Sequence, residues 1–168
     1  TFGLGALGVP ASATLMSAKG FTHGVASGEP SQGSVLLWTR YVGNGDVKLT
    51  AEISANADFA GAKISGEVEA KADRDHIAKI TAQGLDPDSW YFYRFIAPDG
   101  SQSMVGRTRT LPEGPTAQFN IGVVGCSNLP FGYFNAYAHA ARNAALDLMV
   151  HTGDYIYEYP AGTYPSRE

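Results

Sequence analysis

Three side chains in the last third of this 168-residue chain combine types that point to metal chemistry. Cys126 lies in Gly125-Cys126-Ser127-Asn128, and Asp154 and Tyr157 lie in Gly153-Asp154-Tyr155-Ile156-Tyr157. A carboxylate can bridge two cations, and a glycine beside it lets the backbone turn sharply without a side-chain clash. Free thiols and phenols ionise only near ~8.5 and ~10, so holding both deprotonated at working pH takes a strongly Lewis-acidic cation. That requirement points to ferric iron more than to magnesium. Taken singly, each residue also has a plainer role: Cys126 as an inert buried thiol, Asp154 as a helix cap, Tyr157 as a core aromatic. His151 reads either as an outer partner of such a site or as strand packing, and Asp147 as a solvated turn residue or cap.

For Cys126 and Asp154 to act together, the segments that carry them must end side by side. Residues 119–125 form a near-continuous apolar run, the pattern of a strand buried on both faces. Residues 133–145 carry Phe134, Ala138, Ala141 and Ala145 at helical spacing, and residues 146–151 read as a second buried strand. Strand, helix and strand in this order predict a parallel βαβ unit, whose ligand groups lie beyond the carboxyl ends of the strands. Cys126 and Asp154 stand at those ends.

Upstream, Leu111-Pro112-Glu113-Gly114-Pro115 cannot continue a strand and marks a domain boundary. Before it, residues 21–110 alternate short β-like runs with turn signals. The runs are 35–41, 47–53, 63–68, 77–80, 90–96 and 103–110, with turns at Gly43-Asn44-Gly45-Asp46 and Ala97-Pro98-Asp99-Gly100. In the second run Val47, Leu49, Ala51 and Ile53 alternate inward. This spacing without helical stretches predicts an antiparallel sandwich, with no helix longer than two turns between residues 47 and 96. Leu85, Pro87 and Tyr91 have the spacing of a tyrosine corner, in which the phenol bonds back to the preceding loop. Nothing in residues 21–110 reads as catalytic, and His23 and His76 are isolated.

Composition narrows the function further. The net charge is −4 and no Lys/Arg cluster occurs, which argues against a nucleic-acid-binding surface. A single Cys excludes an internal disulfide framework. Residues 1–18 carry no charge but are broken by Gly3, Gly5, Gly8 and Pro10, too polar and interrupted for a stable membrane anchor. They read as the remnant of an export signal peptide, with Ala11-Ser12-Ala13 as a cleavage site. The expected organisation is a leader over 1–20, a β-sandwich over 21–111, and the truncated start of a catalytic domain over 117–168.

Gly153-Asp154-x-x-Tyr157 is similar to the G-D-x-x-Y element of purple acid phosphatases in the metallophosphoesterase superfamily. In those enzymes the Asp bridges two metals and the Tyr binds ferric iron. The superfamily's D-x-H element would fall at Cys126-Ser127-Asn128, so Cys126 stands where an Asp is usual. That departure, together with His151-Thr152-Gly153-Asp154-Tyr155-Ile156-Tyr157-Glu158-Tyr159, resembles the alkaline phosphatase D (PhoD-like) family. So do Gly24-Val25-Ala26-Ser27-Gly28-Glu29-Pro30, Leu37-Trp38-Thr39-Arg40, Tyr91-Phe92-Tyr93-Arg94-Phe95 and Gly106-Arg107-Thr108-Arg109-Thr110.

The resemblance implies an N-terminal antiparallel β-sandwich of Ig/fibronectin III-like type, followed by the first βαβ part of an α/β metallophosphoesterase domain. It implies a phosphoester hydrolase acting on phosphate mono- or diesters, exported folded by twin-arginine machinery and periplasmic or secreted. Its cofactors would be Fe3+ and Ca2+, with Cys126, Asp154 and Tyr157 as iron ligands and Asp154 also bridging to calcium. Arg40, Arg94 and Arg107 have no part in the family's site and are expected to be structural. The family's later motifs are not in this chain, so the chain alone is expected to be inactive as part of an active parent. The alternatives are a phospholipase D-like phosphodiesterase and a non-catalytic β-sandwich binding module.

Overall fold

The structure, a computed structural model, describes residues 18–127, 134–155, 157, 159 and 163. The leader expected over 1–20 falls almost wholly outside these residues, as do Asn128, Ile156 and Glu158. The chain divides into two compact units between Leu111 and Pro112.

In the first unit β1 (Gly20–Gly28), β2 (Ser34–Val42) and β5 (Ile77–Gln83) form one antiparallel sheet in the order β1-β2-β5. The strands β3 (Val47–Ser54), β4 (Lys63–Ala70), β6 (Trp90–Ile96) and β7 (Gly106–Arg109) form a second, in the order β4-β3-β6-β7. Together they make the fibronectin III-like β-sandwich expected from the turn spacing. The period-two pattern decides the core. In β6, Tyr91, Tyr93 and Phe95 are buried while Trp90, Phe92 and Arg94 are only partly so. These rings pack with Val35 and Leu37 of β2, Leu49, Ala51 and Ile53 of β3, and Ala78 and Ala82 of β5. Each large apolar side chain so enclosed contributes about 1.5–3 kcal/mol.

The tyrosine corner is present. The Tyr91 Oη accepts the Asp86 amide at 2.8 Å and ties the loop before β6 to the strand. The only helical segment among the described residues between 47 and 96 is a three-residue 3-10 turn, Ala72–Arg74. The arginines set aside as structural have partners within this unit. Arg40 bonds Asp75 and Thr22, and Arg94 bonds Glu52 at 2.8 Å and covers the Phe59 ring. Arg107 lies over Trp90, its guanidinium carbon 4.3 Å from the ring centroid. Two details differ from the sequence pattern. Strand β1 carries no clean alternation, because its register with β2 shifts between Phe21 and Val25. The last strand is shorter than 103–110: at Ser103 the Phe95 amide is taken by the side-chain hydroxyl, at 2.9 Å, in place of a backbone carbonyl.

In the second unit β8 (Ile121–Val124) and β9 (Leu148–His151) pair in parallel, and α1 (Asn135–Arg142) lies between them in sequence. This is the expected βαβ order, with shorter elements than the pattern drew. Asp147 leaves the strand to serve as a turn residue, its carboxylate accepting the Asn120 amide at 2.8 Å. Within this chain the two strands are not covered as the apolar runs would allow. Ile121 and Val123 are 52% and 64% exposed, and Leu148, Met149 and Val150 are exposed as well. A two-stranded sheet and one eight-residue helix with no buried residue cannot cover two apolar faces. No helix among the described residues is long and apolar enough to cross a membrane.

Candidate metal centre

Parallel pairing in register places Val124 opposite His151, so the chain leaves both strands at the same edge. Beyond that edge the two connections are stitched together by backbone. Thr152 donates its amide to the Val124 carbonyl, Cys126 to Gly153 and Ser127 to Asp154, at 2.9, 3.1 and 3.1 Å. The approach at Gly125 is close enough that a side chain there would collide with the Thr152 hydroxyl. Gly153 has φ +111°, and Cys126 and Asp154 hold φ +52° and +53°, the left-handed region that side chains seldom adopt. Both turns are therefore bent in a way that ordinary strand ends are not.

The bend brings the three predicted ligands together. The Cys126 thiol donates to Asp154 Oδ2 at 3.4 Å, and the Tyr157 hydroxyl donates to the same oxygen at 2.9 Å. Cys126 and Asp154 are exposed and Tyr157 is half-buried, so Cys126 is not the inert core thiol that its residue type alone allowed. The Tyr157 phenol is held well above its ordinary pKa, first by the neighbouring Cys126 thiol and next by the hydrogen bond to Asp154.

Among the described residues Asp154 takes part in no ion pair. Nor do three His, Cys, Asp or Glu side chains gather as a metal cluster among them; here the third donor is a phenol. Three acidic groups around one point repel as anions and become favourable partners around a multivalent cation. Thiolate, carboxylate and phenolate are a donor set that fits ferric iron.

The sequence reading did not include Tyr137 or Tyr155, whose rings gather around His151. Tyr137 follows Phe134 by three residues and so shares its side of α1, which is the signal that could have found it. His23 bonds only its neighbour Thr22 among the described side chains, and His76 lies in the first unit at a left-handed turn.

A sequence model described as the N-terminal domain of PhoD-like phosphatases matches residues 8–112, and one described as PhoD-like phosphatase matches residues 121–168. The chain belongs to the PhoD-like phosphatase family. Alkaline phosphatase D of Bacillus subtilis (strain 168) is 38% identical over 159 residues, covering 88% of this chain and 27% of that protein. A solved structure described as "Structure of PhoD" superposes with a TM-score of 0.76 at 37% identity, over 92% of this chain and 31% of that one. This PhoD-like chain thus spans about a third or less of the length of the relatives it matches. A human fibronectin type III domain from KIAA0970 is 14% identical over 55% of this chain and 74% of its own, with a TM-score of 0.45.

Proposed function

We propose that this PhoD-like chain is the first part of a metal-dependent phosphoester hydrolase. Its sandwich, residues 21–111, precedes the opening of the catalytic domain, residues 117–168, and residues 1–20 serve as an export leader. The parent is periplasmic or secreted and hydrolyses phosphate mono- and diesters. Cys126, Asp154 and Tyr157 hold ferric iron, and Asp154 is shared with calcium. The single observation that carries this reading is the meeting of a thiol and a phenol on one carboxylate oxygen, Asp154 Oδ2, in a chain of this family.

When bound, the cations supply Lewis acidity and neutralise the charge that develops in an in-line displacement at phosphorus. The chain's own residues prepare that arrangement. Cys126 Sγ and Tyr157 Oη keep their protons in hydrogen bonds to Asp154, and both would have to give them up to hold a cation. Asp154 keeps the two donors on one side of the sheet edge. The backbone bonds from Cys126 and Ser127 to the Gly153 and Asp154 carbonyls keep both turns from drifting apart.

The test uses the full-length parent. It should purify with bound iron, show the visible absorption of tyrosinate bound to ferric iron, and hydrolyse nitrophenyl phosphate mono- and diesters. Tyr157→Phe should lose the colour and keep the fold. A parent with no iron, or a Tyr157→Phe protein with full colour and turnover, refutes the assignment. Phosphatidylcholine as a third substrate separates a general phosphoesterase from a phospholipase D-like one.

A further inference from the structure

The turn that presents Asp154 is unfavourable by itself, and His151 holds it. Gly153 and Asp154 are consecutive residues at positive φ, with Cys126 in the same region across from them. A non-glycine residue in such a conformation persists where its surroundings hold it. Gly153 is gripped on both of its peptide groups. Its carbonyl accepts the Cys126 amide at 3.1 Å, and its own amide donates to His151 Nδ1 at 3.2 Å.

A ring nitrogen that accepts cannot also carry the proton, so the neutral imidazole holds its hydrogen on Nε2. That nitrogen lies 2.6 Å from Tyr137 Oη on α1, so Nε2–H donates and the phenol oxygen accepts. Tyr155 meets the imidazole edge to face, with centroids 5.3 Å apart, and stacks on Tyr137 at 6.4 Å. Phe134 packs against Tyr137, with ring centroids 5.3 Å apart. Strand packing would require only the shape of the ring. It does not account for two directed bonds, one to the helix and one to the ligand turn.

We propose that Tyr137 and His151 are a positioning pair for the metal centre: Tyr137 fixes the imidazole tautomer, and His151 Nδ1 holds the Gly153 amide so that Asp154 faces Cys126 and Tyr157. The proposal rests on the metal-site reading above. Both residues act through the turn that carries Asp154, and neither is itself proposed as a ligand. Partners at one remove from the ligands commonly change metal affinity by about 10- to 100-fold, because they set ligand orientation.

Three variants of the full-length parent separate positioning from packing. His151→Phe keeps a ring and removes the acceptor. His151→Asn supplies a side-chain oxygen to the amide two residues on, the geometry of an Asx turn, while giving up the ring. Tyr137→Phe keeps the helix-side ring and removes only the hydroxyl. Imidazole nitrogen chemical shifts in the metal-free protein should show the Nε2–H tautomer in the wild type. His151→Phe should weaken iron binding about tenfold or more and shift the tyrosinate-to-iron absorption band. His151→Asn should recover most of that affinity, and Tyr137→Phe should fall between wild type and His151→Phe. A wild-type imidazole with its proton on Nδ1 overturns the proposal, as does a His151→Phe protein with unchanged band and affinity. Should His151→Phe fail to fold, a His151→Asn protein that binds iron no better than tenfold below wild type overturns it equally. A wild-type parent without iron colour refutes the metal-site reading itself; colour that is present and indifferent to these variants refutes the pair alone.

Discussion

Raising the pH from 10 to 12 should destabilise the sandwich through one side chain, Tyr93. It is 2% exposed, and burial pushes its phenol up from 10 to about 12, with a hydrogen bond to Ser27 opposing the rise. In the unfolded chain the same phenol titrates near ~10. Between these values the folded protein holds a proton that the unfolded chain has lost, so stability falls as pH rises. The contribution is complete below pH 10 and disappears as pH approaches 12. Each pKa unit corresponds to about 1.4 kcal/mol, which makes the loss about 2–3 kcal/mol across the window. Urea unfolding followed by tryptophan fluorescence reads this directly, because Trp38 and Trp90, the chain's two tryptophans, both lie in the first unit. The control is Tyr93→Phe. It should lack the wild type's extra loss at high pH. A Tyr93→Phe protein that loses as much stability as the wild type over the same window refutes the reasoning.

Three further outcomes follow from the geometry. Tyr91→Phe removes the acceptor of the Asp86 amide and should cost about 1–2 kcal/mol in the same urea transition, without altering iron content of the parent. Gly125→Val drives a side chain into the Thr152 hydroxyl and should abolish iron colour while the tryptophan-detected transition stays where it was. Asp154→Asn keeps a side chain that tolerates positive φ but removes the charge. Hydrolysis of both mono- and diesters by the parent should fall by more than the roughly 10- to 100-fold typical of outer-shell changes. Wild-type turnover on either substrate would refute the shared role of Asp154.

How much was legible in advance differs between the two units for physical reasons. In the sandwich, alternation in residues 47–53 and 90–96 and the turn clusters at 43–46 and 97–100 encode strands locally, because a strand's two faces meet different solvents. The tyrosine corner was legible for the same reason, its partners Asp86 and Tyr91 being five residues apart. Strand β1 was less so, since its bulge breaks the period that sequence reading depends on. The apolar runs 119–125 and 146–151 announced strands correctly, but their exposure could not be read from them. A run of apolar residues states what a strand can bury, and only neighbouring elements decide what it does bury.

For the candidate site, the sequence by itself determined the donor types: a thiol at Cys126, a carboxylate at Asp154 and a phenol at Tyr157. It also determined the glycines that let the chain bend at 125 and 153. Tertiary structure decided that the donors meet on one carboxylate oxygen. That depends on the register of Val124 against His151, a pairing across 27 residues that no local pattern encodes. Tertiary structure alone also decided that His151 has a helix on one nitrogen and the ligand turn on the other. Residue types and short-range periodicity are properties of the chain, whereas the direction of a hydrogen bond between Tyr137 and His151 exists only after strand, helix and strand have packed.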